Sequence, residues 1–134
     1  MDNKENVNDW SQHSINAAYL GLTAEAASML QRRINSRAGG RRFPVWYHTS
    51  VHPVPDQNNG DAISITLQSM LMQVDGNKIY LLPAWPKNWD VNFRLRAPGK
   101  TVIDCRYQNG KIEQLDVKPE SRRKDIIIVP QKDA

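Results

Sequence analysis

Cysteine is nearly absent: Cys105 is the only one. No internal disulfide can form, and a zinc site built on paired cysteines is excluded. Cys105 itself has two readings, a nucleophile or a strand residue buried between Asp104 and Arg106. Packing is the preferred one, because a free thiol behaves as a small hydrophobe. Long apolar runs are also missing. The stretch Ile126 to Pro130 is among the longest, far short of the roughly 20 residues a bilayer-crossing helix needs. No membrane span is therefore expected. The start, MDNKENVNDW, lacks the apolar centre of a secretory signal, so the chain reads as cytoplasmic or as a piece of something longer. There is no internal repeat, no low-complexity run, and no helix-turn-helix, zinc-finger or RNA-recognition signature.

What remains is an ordinary globular composition. The 134 residues suffice for one domain or two small ones, with 40% hydrophobic and 24% charged residues. The net charge is +4. Arginines crowd the stretch RRINSRAGGRR, Arg32 to Arg42, and a second basic group is Arg122, Arg123 and Lys124. Such groups can bind phosphates. They equally suit the negative C-terminal pole of a helix, and with no supporting signature nucleic acid is not the expected partner.

The two halves differ in pattern. Residues 1–75 carry helical spacing. A first helix starts near Asn8, Asp9 or Ser11, carries Ile15, Ala18, Tyr19 and Leu22, and ends at Gly21. Thr23 caps a second, Ala24 to Ser36, with Ala27, Leu30 and Ile34 on one face. The pair forms a helical hairpin. A long proline-interrupted connection, RRFPVWYHTSVHPVPDQNNGD, follows; connections of that length are commonly functional. A third helix, Asp61 to Gln73, is apolar on nearly all sides and wants burial. Residues 76–134 alternate instead. Strands are expected over Lys78–Leu82, Val91–Ala97, Thr101–Tyr107, Lys111–Val117 and Asp125–Val129, with Asn109-Gly110 as a hairpin turn. The fold class is α+β: two to three N-terminal helices, then an antiparallel sheet or small sandwich of about five strands.

Several of these segments resemble one family. A helix ending MLMQ, then DGNKIYLLPAWPKNWD, then NGKIEQLDVKPESRRKD, is similar to the C-terminal end of bacterial (α/α)6-barrel, or six-hairpin, glycoside hydrolases, the α-L-fucosidase-like family. The resemblance is most specific from Asp75 to Pro86. It implies that Ser11–Ser36 is one barrel hairpin, that the third helix is an inner barrel helix, and that residues 76–134 are the β-domain that follows. It also implies that most of the barrel lies outside this chain, and that a full-length relative is exported to the periplasm or beyond the cell.

The same resemblance points to Asp56-Gln57-Asn58-Asn59-Gly60-Asp61 as the counterpart of a barrel-mouth motif whose Asp assists the catalytic base. Alignment without a gap puts Asn58 at that place; a short gap puts Asp56 there. Asp56 is the first catalytic candidate and Asp61 the second. An inverting glycosidase needs a second carboxyl group roughly 6.5–9.5 Å away across the sugar, and no residue here supplies the acid. The competing reading of the stretch is a turn followed by an N-cap at Asp61. Trp46, His48, His52, Asn58 and Asn59 are the candidate sugar contacts. His48 and His52 stand four apart, a spacing that can hold a metal on a helix, but Pro53 and Pro55 argue against helix and no third ligand stands out. Neither metal nor cofactor is expected. Trp85 and Trp89, in PAWPKNW, are read as pinning the helix-to-sheet junction.

The functional expectation is a C-terminal fragment or truncated relative of a carbohydrate-active barrel enzyme, not catalytic alone. The alternatives are a glycan-binding module and a structural subunit that completes a barrel with another chain. Exposed apolar helix faces predict self-association or binding to a larger barrel polypeptide.

Overall fold

The computed structural model describes residues 12–35 and 57–131. Its elements are α1 (His13–Tyr19), α2 (Thr23–Asn35), α3 (Gln57–Leu71), β1 (Met72–Asp75), β2 (Lys78–Leu81), β3 (Val91–Ala97), β4 (Thr101–Gln108), β5 (Lys111–Lys118), a 3-10 turn (Glu120–Asp125) and β6 (Ile126–Ile128). The chain is thus an α+β protein.

The helical hairpin forms as its sequence predicts, except that α2 starts one residue early: Thr23 is helical, and the Leu22 carbonyl accepts from the Ala26 amide at 2.9 Å. Gly21, at φ +68°, closes α1. The Leu22 amide donates to the Ala17 carbonyl at 2.9 Å and the Gly21 amide to Ala18 at 3.1 Å, which satisfies two of the carbonyls a helix end leaves open. The packing face differs from the expected stripe. Ser14, Ala17 and Ala18 are buried on α1, and Ala26, Ala27 and Leu30 on α2. Tyr19 and Leu22, expected inside, stand 62% and 44% exposed. Small residues let the helices approach closely, and the larger side chains are pushed outward. α3 packs against both.

α3 corrects two expectations. It begins at Gln57, four residues before Asp61, so Asn58, Asn59 and Gly60 lie in its first turns and Asp61 is not an N-cap. Asn and Gly are poor helix formers, but propensity is a weak preference that packing of the later turns overrides. It also ends early. Met72 to Asp75, whose apolar spacing continues the helical pattern, instead pairs antiparallel with Lys78–Leu81. The Gly76-Asn77 turn between them, with Gly76 at φ +55°, is a two-residue hairpin loop.

The strands form two sheets, ordered β1-β2-β6 and β3-β4-β5. One pair departs from the antiparallel expectation: β6 runs parallel to β2, Ile79 beside Ile126 and Leu81 beside Ile128. Parallel pairing requires a long return connection, here the whole β3–β5 sheet and the 3-10 turn. The β4–β5 hairpin turns at Asn109 and Gly110 (φ +51° and +76°) as expected.

A continuous core joins helices and sheets, including Leu30, Met70, Leu81, Trp85, Ile103 and Tyr107. The junction is well bonded. The Leu82 amide donates to the Leu71 carbonyl at 2.7 Å and the Ala84 amide to Met70 at 3.3 Å, so the chain leaving β2 satisfies the open carbonyls of α3. Gln73 Nε2 donates to the carbonyls of Ala18 (2.8 Å) and Ser69 (2.9 Å). Trp85 is buried and donates through Nε1 to the Trp89 carbonyl at 2.7 Å, the two rings meeting edge-on at 5.5 Å. Arg122 clasps the two sheets together. Its Nε donates to Thr101 Oγ1 (3.1 Å), one terminal nitrogen pairs with Asp125 (2.8 Å), and the other reaches the Asn77 carbonyl (3.4 Å).

Candidate functional site

Asp56, Trp46, His48 and His52 lie outside the described residues. Asn58 and Asn59 sit in the first turn of α3. Asp61 follows in the next turn, exposed. Ile65 (47% exposed) and Gln68, four and seven residues on, continue the same exposed face. Asp61 therefore points to solvent, on a ridge that also carries an apolar side chain. Opposite it, Ser14 and Thr66 meet at 2.8 Å between α1 and α3. Thr66 gives its proton to the Ala62 carbonyl at 2.7 Å, so Ser14 is the donor of the pair. Among the described residues, no group of three His, Cys, Asp or Glu side chains could hold a metal. No helix among them is long and apolar enough to cross a membrane.

An organised polar surface lies elsewhere, on the outer face of the β3-β4-β5 sheet. Strand alternation turns Phe93, Ile103, Cys105 and Val117 inward to the core. It turns their neighbours outward in cross-strand rows. Asn92, Arg106 and Gln114 form one row; Arg94, Asp104 and Asp116 form the next. Lys118 extends the face at one end. Together they line an open cleft of about 440 Å³.

The electrostatics of this cleft are mixed. Arg94 donates through Nε and a terminal nitrogen to one Asp104 oxygen, both at 2.7 Å. The bonded carboxylate raises the guanidinium pKa further, and Arg94 stays 72% exposed. Asp116 is registered directly across from Asp104, and its nearest support is Gln114 Nε2 at 2.6 Å. Like charges placed opposite each other in a sheet repel, and the bonds from Arg94 and Gln114 offset that repulsion. Arg106 stands 3.5 Å from Glu113 at the rim.

Cys105 lies beneath the cleft, 1% exposed. Burial pushes its thiol up to about 11, so it is protonated and unreactive near neutrality. Tyr107 is also raised, mainly by burial and then by Asp90, and its hydroxyl donates to the Lys87 carbonyl at 3.2 Å. The second basic group of the sequence is largely consumed locally: Arg122 pairs with Asp125 and Arg123 with Glu120.

The polar alternation of Asn92, Arg94 and Arg96 is visible in the sequence as one face of a half-buried strand. The rows are not, because a bulge between Arg106 and Tyr107 shifts the register of β5. Counting back from Asn109-Gly110 without it places Arg106 opposite Glu113 and separates Asp104 from Asp116. No protein-family model matches this chain, and no curated protein does either.

Proposed function

We propose that this chain is the terminal segment of a carbohydrate-active enzyme of the helical-hairpin barrel type. In this reading α1–α2 is one hairpin, α3 the last inner helix, and the strands the β-domain behind it. The supporting observation is apolar surface left in water along the helical layer. Tyr19 and Leu20 are 62% and 73% exposed at the end of α1, Ile34 is 49% exposed on α2, and Ile65 and Leu67 are 47% and 37% exposed on α3. Large apolar side chains left in water on all three helices suit an association face, and further hairpins of a barrel would cover them.

The chain alone does not hydrolyse a glycoside, because a glycosidase needs two carboxyl groups flanking the scissile bond. Asp56, or failing it Asp61, is the base-side residue; the acid comes from the rest of the barrel. Trp46, His48, His52, Asn58 and Asn59 contact the sugar. The test is the native mass of the chain in its source cells, followed by assay of the isolated species on aryl glycosides, α-L-fucosides first. A species several times the chain's 15.3 kDa, containing an upstream helical polypeptide and losing activity in Asp56→Asn, is the expected result. A free chain or small homo-oligomer with no glycosidase partner refutes it, and directs attention to the second reading, a glycan-binding module. The polar cleft on the β3-β4-β5 sheet is the observation in favour of that second reading.

A further inference from the structure

We propose that the outer face of the β3-β4-β5 sheet is a binding groove for an acidic oligosaccharide, a chain carrying uronate carboxylates. The inference takes its ligand class from the carbohydrate reading above. It uses no residue of the helical segment and needs no completed barrel.

The cleft's size comes first. At about 440 Å³ it lies within the usual range for small-ligand sites, roughly 300–1,000 Å³. Its chemistry comes second. The outward side chains are polar or charged and none is aromatic, so a ligand held by stacking or apolar contact does not fit. The groove offers both kinds of hydrogen-bonding group. Asp104 accepts from Arg94 and Asp116 from Gln114 through one oxygen each, and the remaining carboxylate lone pairs can take donors such as hydroxyls. Arg94, Arg106 and Lys118 donate as cations, and so favour anions. A guanidinium matches a carboxylate in a two-pronged contact. An oligosaccharide that carries hydroxyls and carboxylates along one chain answers both.

The spacing fits a chain rather than a single ring. Arg106 and Lys118 stand two rows apart across the pairing of β4 and β5, roughly 13 Å along the strands. Arg94 lies in the row between them. The Arg94–Asp104 pair fixes the guanidinium in place before any ligand arrives, which lowers the ordering cost of binding.

Nucleic acid shares the anionic backbone and the ribose hydroxyls, but the groove disfavours it. Single strands bind through aromatic platforms for the bases, and none is present.

The experiment is titration of the full 134-residue chain, isotope-labelled, followed by amide NMR. The probes are a galacturonate trimer, a neutral galactose trimer, a sulfated galactose trimer and a single-stranded oligonucleotide. The expected result is saturable binding of the galacturonate trimer, with shifts centred on Arg94, Asp104, Arg106 and Asp116. Arg94→Gln should weaken it about tenfold or more, as expected for loss of a charge-assisted contact, while Glu25→Gln, exposed on α2, should leave it unchanged. Equal binding of the neutral trimer overturns the requirement for acid. Tighter binding of the sulfated trimer overturns the uronate assignment, and tighter binding of the oligonucleotide overturns the saccharide class. Absence of saturation, or shifts mapping away from this sheet, overturns the site. Mapping on the wild-type chain keeps the result decisive if a variant folds poorly. Failure here leaves the barrel reading standing, since that is tested by partner and turnover; failure of the barrel reading leaves this groove standing.

Discussion

Replacing Arg122 with Met should loosen the union of the two sheets while keeping the packed stem of the side chain. The side chain is 18% exposed and its partner Asp125 20%, so water replaces their contact only in part. A hydrogen bond to a charged group contributes about 1.5–3 kcal/mol, and this is the largest loss. Thr101 keeps its donation to the Pro98 carbonyl at 3.0 Å and adds little. The 3.4 Å contact to Asn77 is exposed and also adds little. The net cost is about 2–3 kcal/mol, a large share of the roughly 5–15 kcal/mol that holds a typical domain. Arg122→Lys should recover less than half, because an ammonium cannot span Thr101, Asp125 and Asn77 at once. Urea unfolding followed by tryptophan fluorescence measures the cost, and a cycle with Asp125→Asn isolates the pair. Hydrogen exchange adds a local readout. The Val129 amide, bonded to the Leu81 carbonyl at 3.0 Å, should lose protection before the β3-β4-β5 amides do. A stability within about 0.5 kcal/mol of wild type, the range of ordinary surface changes, would refute the clasp.

Thr66→Val keeps the shape but strands the buried Ser14 hydroxyl, and should cost about 1–3 kcal/mol; adding Ser14→Ala should recover most of it, as read from urea midpoints. Cys105 gives a pH signature. Its thiol titrates at about 11 folded against 9.0 for the free group, so the folded state holds the proton longer. Its contribution is complete well below pH 9 and is lost as pH rises from 9 through 11, by up to about 3 kcal/mol. Tyr107 shifts in the same direction, so the measurement is the difference in alkaline stability between wild type and Cys105→Ala; parallel curves would contradict the desolvation argument. Leu82 sits buried at φ +58°. Leu82→Gly relieves about 1–2 kcal/mol of backbone strain but removes a core side chain that contributes about 3–5 kcal/mol, so thermal unfolding should show net destabilisation.

The strands of the second half were legible because their signals are local. Alternation in Val91–Ala97 and the Asn109-Gly110 turn depend on a few adjacent residues. The α1–α2 hairpin was legible for the same reason, through Gly21. The start of α3 was not, since Asn58, Asn59 and Gly60 carry turn chemistry that tertiary packing overrides. β1 was hidden because Met72 and Val74 satisfy helical spacing and alternation equally well. The parallel partnership of β2 and β6 joins residues almost fifty positions apart, beyond the reach of any local pattern. The polar cleft was half visible: the alternation showed which side chains face outward, but a one-residue bulge decided which of them meet.

α3 ends at Leu71 and β1 begins at Met72, with no linker between them. The angular phase of the helix therefore dictates which face of the strand turns inward. Inserting one residue there would rotate the buried side of α3 by about 100° or turn β1 inside out. Length can vary at the hairpin tips but not at this seam. With no slack segment at the seam, the placement of α3 also fixes that of the β1–β2 ribbon, and through strand pairing that of β6.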